Sequence, residues 1–199
     1  MKTARVAYGG AVHSAMPHER GLRLADGRVL AEDAVVWLPP FEVGTVIALG
    51  LNYADHVKEL SKELSLTSKD EPLVFFKGPG ALLGHLGFTR RPAGVAFMHY
   101  ECELAVVIGK TARRVKRAEA MRHVAGYTVC NDYAVRDYLE NWYRPNLRVK
   151  NRDGATVLGP WFVDAADVPD PQALALRTTV NGQVTQQGST ANMVNDIAS

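Results

Sequence analysis

HYECELAVVIGK, residues 99–110, is the stretch on which the reading of this chain turns. Its apolar run reads as a buried strand, yet Glu101 and Glu103 stand at its head. Side chains at i and i+2 of a strand share a face, so both carboxylates point the same way with one residue between them. Two like charges held that close are unfavourable unless something positive sits between them. The pair is therefore either a solvated strand face or one side of a cation site.

The remainder of the chain fits a globular protein. Its 199 residues are 47% hydrophobic, enough for one well-buried core with a small appendage. The 23 basic and 21 acidic residues leave a net charge of +2, with no long basic block, so charge implies no nucleic-acid partner. No apolar run is long enough to span a bilayer, and MKTARVAYGG lacks the apolar core of a secretory signal; a cytoplasmic protein is expected. Cys102 and Cys130 form neither a disulfide framework nor a C-x-x-C pair. Cys102 alternates with the two glutamates and should face away from them, as a small buried side chain.

Turn chemistry organises the first forty residues. RVAYGGAVHSA pivots on Gly9-Gly10 and LRLADGRVLA on Asp26-Gly27, dipeptides that supply positive φ for two-residue hairpins. After Pro39 and Pro40, TVIALGLN resumes as a buried apolar strand. A soft boundary near residue 42 then separates a small N-terminal β appendage, 1–42, from a main domain, 43–199.

NYADHVKELSKEL switches to a helical period, with Val57, Leu60 and Leu64 on one stripe and His56, Glu59 and Glu63 on another. PLVFFKGPGALL and VAFMHYECELAVVI read as strands, AEAMRHV as a short helix leading into the strand GYTVCND, and Arg136 to Tyr143 as helical. LALRTTVNGQVTQQG is a hairpin around Asn181-Gly182. Strands dominate without regular β-α alternation. The expected class is mainly β (α+β), and a doubly wound parallel sheet is not expected.

Asp132 ends the strand YTVCND, where a third carboxylate would line the sheet rim beside Glu101 and Glu103. Three oxygen ligands suit a hard cation such as Mg2+, which takes roughly six and would keep about three positions for water or substrate. His99, two residues before Glu101, opens a second reading, since one His and two carboxylates also suit Fe(II). His56 and Glu59, three apart on a helix, are either a general acid/base dyad or a solvated flank. Lys77 in FFKGPG and Lys150 in RVKNRDG each follow apolar context, which suits an ammonium in a site, although surface lysines are commoner.

GLNYADH, FFKGPGA, HYECELAVVIGK, GYTVCNDYAVRD, RVKNRDG and NGQVTQQG, in that order, closely resemble the fumarylacetoacetate hydrolase family over about Thr45 to Met193. Within it, YAVRDYLENWYRPNLRVK and TVCNDYA are nearest to the isomerase/decarboxylase branch of 4-hydroxyphenylacetate (homoprotocatechuate) catabolism. The resemblance implies that Glu101, Glu103 and Asp132 bind a divalent ion, Mg2+ or Mn2+. It makes His99 a neighbour of the ligands, His56 and Glu59 the acid/base dyad, and Lys150 the active-site lysine. Arg136 and Lys77 would bind substrate, an unsaturated 2-oxo dioate reacting through a metal-bound dienolate. Leu139 stands where hydrolytic members often carry Gln, which favours the isomerase/decarboxylase over an acylpyruvate or fumarylpyruvate C–C hydrolase.

The implied fold is the family's mixed β-roll, commonly dimeric. That domain usually continues past the hairpin with a Thr-Gly-Thr-Pro loop, whereas this chain ends at MVNDIAS. The expectation is thus a roll lacking its usual C-terminal strands. A catalytically impaired family member, acting as a structural partner, is the contrasting alternative.

Overall fold

A computed structural model describes residues 1–55, 57, 72–138 and 146–199. Hairpins build its first part as the turn residues dictate. β1 (Lys2–Tyr8) and β2 (Ala11–His18) pair antiparallel with Tyr8 opposite Ala11, and Gly9 (φ 57) and Gly10 (φ 81) form the two-residue turn between them. β3 (Gly21–Leu24) and β4 (Val29–Leu30) follow. Their turn is longer than the expected two residues. Leu24 N donates to Arg28 O at 2.8 Å, so Ala25, Asp26 and Gly27 form a three-residue loop with Gly27 at φ 89. The Asp26 side chain accounts for the difference by accepting from Arg28 N at 3.1 Å. β5 (Val36–Leu38) returns antiparallel to β1. Ala4, Val6, Ala15, Leu22, Leu24 and Trp37 close a core over which Trp161 packs edge-on to Trp37 at 5.5 Å.

β6 (Val46–Gly50) and β7 (Leu73–Lys77) form an antiparallel pair of their own. TVIALGLN is a strand as expected, but one face is open: Ile47 and Leu49, with their partners Phe76 and Val74, are exposed, while Phe75 is buried. β8 (Leu82–Leu83) comes next. VAFMHYECELAVVI does not run as one strand. It breaks into β9 (Met98–His99) and β10 (Cys102–Ile108), because β9 pairs with a different partner. A helical turn at Arg117–Ala120 leads to β11 (Val124–Asp132), and β12 (Ala134–Val135) then pairs with β9. Among the described residues, helical structure after β12 comprises a 3-10 turn at Arg136–Tyr138, one α turn at Leu147–Lys150 and 3-10 turns at Ala165–Asp167 and Thr190–Asn192; the rest of the expected helix, 139–143, lies outside the described residues.

β13 (Thr156–Leu158) and β14 (Phe162–Asp164) complete the main sheet, and β15 (Ala175–Val180) with β16 (Gln183–Ser189) forms the expected hairpin, Asn181 (φ 50) and Gly182 (φ 80) making its turn. Among the described residues, ten strands form one sheet. β11 organises it, with β10 along one edge and β14 and then β13 along the other. Gly126 permits the β14 crossing, since a Cβ there would collide with the Val163 carbonyl oxygen. Lys2 lies opposite Val163, so the strands of residues 1–42 are hydrogen-bonded into the same sheet as β10 and β11. No helix among the described residues is long and apolar enough to cross a membrane.

Candidate functional site

The β10–β11 ladder decides where the carboxylates meet. Cys102 lies opposite Asn131 and Glu103 opposite Cys130, and Asp132 N donates to Glu101 O at 2.9 Å. Alternation then puts Glu101, Glu103 and Asp132 on one face, and each offers an oxygen within 4.8 Å of the others. His99 is outside this group. It pairs with Ala134 in the β9–β12 ribbon, and its Nδ1 accepts from Arg136 Nε at 3.4 Å. A set of one His and two carboxylates is therefore not what the fold assembles.

Cationic side chains enclose the carboxylates. Lys77, the last residue of β7, donates to Asp132 Oδ1 at 2.5 Å and also to the carbonyl of Lys150. Lys150, the last residue of its helical turn, donates to Glu101 Oε2 at 2.6 Å and Asp132 Oδ2 at 3.0 Å. Arg136 Nη2 donates to Glu101 Oε1 at 2.5 Å. The expected residues Lys77, Glu101, Glu103, Asp132, Arg136 and Lys150 are thus gathered in one place. His56, Glu59 and the Leu139 substitution lie outside the described residues.

Charge and burial oppose each other here. Burial pulls the Lys77 ammonium below its ordinary pKa, against the pull of Asp132. Lys150 suffers the same desolvation, but Glu101 and Asp132 together outweigh it and hold its pKa above the ordinary value. Glu103 is the odd member. It accepts no hydrogen bond from a described residue, and burial, followed by repulsion from Asp132 and Glu101, pushes it up to about 8. A partly buried carboxylate with no salt bridge to a described residue, aimed at two others, is the feature a divalent cation would satisfy, so the donor set fits a hard metal ion. Cys130, opposite Glu103, is held well above its ordinary pKa by burial and remains a thiol, while the half-buried Cys102 thiol faces Thr178 and the Arg177 backbone, away from the carboxylates.

Amide side chains that sequence patterns did not flag hold this framework. Asn131 Oδ1 accepts from Glu101 N at 3.1 Å, and Gln186 Oε1 from Cys102 N at 2.8 Å. Asn151 brackets Lys77, accepting from Gly78 N at 2.5 Å and donating to Phe76 O at 3.0 Å. Each contact joins residues far apart in the chain, so only Asn131, beside Asp132, and Asn151, beside Lys150, carried even a positional signal.

The family model described as "Fumarylacetoacetate (FAA) hydrolase C-terminal" matches residues 45–199. This chain belongs to the fumarylacetoacetate hydrolase family. Among its relatives in that family, the "4-hydroxyphenylacetate degradation bifunctional isomerase/decarboxylase" of Salmonella dublin is 55% identical over 181 residues, which is 88% of this chain and 41% of that protein. The chain thus spans about two fifths of that relative's length. A 5-carboxymethyl-2-hydroxymuconate delta-isomerase from Mycobacterium smegmatis is 32% identical, with a TM-score of 0.79 over 100% of this chain and 78% of the other. A maleylpyruvate hydrolase from Sphingobium sp. SYK-6, solved with manganese(II) and pyruvate, shares the fold at 22% identity, with a TM-score of 0.78 over 100% of this chain and 80% of that one. The strand-rich fumarylacetoacetate hydrolase fold expected from the motifs is therefore the fold of this chain.

Proposed function

We propose that this chain is a divalent-metal-dependent isomerase/decarboxylase of unsaturated 2-oxo dioates in 4-hydroxyphenylacetate (homoprotocatechuate) catabolism. The observation that carries the reading is the convergence of three carboxylates with Lys77, Lys150 and Arg136 on one face of the sheet. Three cationic side chains balance the three carboxylates, so a bound divalent ion would leave the site cationic, which suits a dianionic substrate. The 55% identity to a bifunctional isomerase/decarboxylase supports the same chemistry.

Glu101, Glu103 and Asp132 would hold the ion, Mg2+ or Mn2+. When bound, it would polarise a carbonyl oxygen as a Lewis acid. Lys150 directs its ammonium at Glu101 and Asp132, which fixes both ligands and would keep a positive charge close to an oxygen that gains charge at the ion they hold. Arg136 is the most exposed of the three cations, with 32% of its side chain accessible, and suits the distal carboxylate of a dioate. Lys77, nearly fully enclosed, would neutralise Asp132 and support substrate binding from below. His56 with Glu59 is assigned to proton transfer: removing a proton from carbon and returning one elsewhere for isomerisation, or supplying the proton that replaces departing CO2. We assign this chemistry to residues 43–199, read residues 1–42 as an appended β support, and expect a cytoplasmic homodimer.

Assay of the purified protein on unsaturated 2-oxo dioates and on acylpyruvates, with Mg2+ and with chelator, tests the proposal. Metal-dependent isomerisation or CO2 release is expected. Cleavage of acylpyruvates alone would replace it with the hydrolase reading, and inactivity on both would leave a structural role.

A further inference from the structure

We infer that Gln186 is a positioning residue for the Glu101–Glu103 pair, a clamp that takes the place of a neighbour strand at the head of β10. On one edge β10 is paired with β11, with Cys102 opposite Asn131. Along its other edge no strand among the described residues joins the ladder. Gln186, reaching across from β16, answers the main chain there. Cys102 N donates to Gln186 Oε1 at 2.8 Å, and Gln186 Nε2 reaches the Cys102 carbonyl at 3.5 Å. One amide thus meets both backbone groups of the residue between the two glutamates, as an antiparallel neighbour would.

The amide's orientation is itself fixed. Thr178, on the partner strand of the hairpin, donates its hydroxyl to the same Gln186 Oε1 at 2.9 Å. On the other side, Asn131 Oδ1 holds Glu101 N and Glu101 O accepts from Asp132 N. The Glu101–Cys102 peptide region is consequently held from two directions. Turning it would move both carboxylates at once, because they are carried on either side of Cys102. Metal ligands tolerate misplacement of only about 0.5 Å, and loss of a residue that orients ligands typically costs about 10- to 100-fold in affinity. Gln186 bonds backbone and Thr178 and no carboxylate, so its influence runs through position alone.

The inference rests on the metal reading above, so its test needs one readout independent of metal. Amide hydrogen exchange at Cys102 in the metal-free chain supplies that, and calorimetric Mn2+ titration supplies the other. Gln186→Ala is expected to speed Cys102 exchange and to raise the Mn2+ Kd about 10- to 100-fold. Its thermal midpoint should match that of Val184→Ala, an exposed control on the same strand. Gln186→Glu keeps the acceptor and should restore much of the Cys102 protection; Thr178→Val frees the amide and should give an intermediate Kd. These two variants carry the test if Gln186→Ala does not fold. Unchanged Cys102 exchange overturns the inference, as does faster exchange with a Kd within twofold of wild type, which would make Gln186 a hairpin-docking residue only. A wild-type chain that binds no Mn2+ sinks the metal reading instead; exchange at Cys102 then decides alone whether the clamp on the pair exists.

Discussion

Around β1, β2, β3 and β5 the interior is built of Ala4, Val6, Ala15, Leu22, Leu24 and Trp37, whereas around β7, β10 and β11 the most enclosed side chains include Lys77, Asp132, Lys150, Thr128 and Thr156. The first set gains from burial itself, which is non-directional and proportional to apolar area. In the second, two ammoniums and one carboxylate at 3–6% exposure are desolvated and then rejoined by short bonds. Such pairs return little net stability compared with apolar residues of similar size. The contrast separates what keeps this chain folded from what it is folded for.

Removing the hub of the charged cluster is expected to have the largest effect on stability. Asp132→Ala leaves two enclosed ammoniums without their shared partner, and breaking a buried pair costs about 3–5 kcal/mol. Denaturant unfolding and Mn2+ calorimetry should both register it, the second as loss of binding. A variant as stable as wild type would show that this cluster is wetter than its exposure indicates.

Leu24→Ala should come next and behave in the opposite way. Leu24 is 1% exposed within the apolar cluster, so the truncation should cost about 2–5 kcal/mol. Mn2+ affinity measured well below the unfolding transition should not change. A shifted Kd would mean that the two regions are coupled through the β1–β14 contact.

Glu103→Gln sharpens the contrast within the charged cluster. Unlike Asp132, Glu103 forms no salt bridge with a described residue, and burial, followed by repulsion from Asp132 and Glu101, already disfavours its charge. A neutral amide of the same shape should therefore leave metal-free stability unchanged or slightly raised while abolishing most metal affinity. Mn2+ binding equal to wild type would remove Glu103 from the ligand set.

Legibility in the sequence follows the same division. Hairpins at Gly9-Gly10 and Asn181-Gly182 were readable because the turn conformation is a property of two adjacent residues. Glu101 and Glu103 sharing a face followed from strand alternation. Asp132 was a candidate third carboxylate from its place at a strand end, but only the family resemblance joined Lys77 and Lys150 to it, since the β10–β11 register and the β7 terminus are long-range facts. Three misreadings have structural causes. The Asp26 side chain lengthened its turn, the β9–β12 pairing broke a run that looked continuous, and β6 proved covered on one face, with Ile47 open. Gln186 and Asn151 lay within quoted motifs, but nothing in the sequence marked their roles, because an amide that caps a distant backbone looks like any polar surface residue.

The smallest expected effect concerns a carboxylate in the charged region that lies fully in solvent. Asp137 accepts from Ala96 N at 2.9 Å and Phe97 N at 2.7 Å, tying the approach to β9 beside Arg136. These two backbone donors, Ala96 first, hold its pKa below the ordinary 3.8. The sign follows: a depressed folded value means that the contribution is complete above about pH 3.8 and is lost as pH falls through the folded value. Because water screens the group, Asp137→Asn should barely move the global unfolding midpoint, yet amide exchange at Ala96 and Phe97 should quicken. NMR titration of the Asp137 carboxyl with a midpoint at or above 3.8 would break the assignment. So would a large drop in global stability, since it would put an exposed charge on the same footing as the enclosed Asp132.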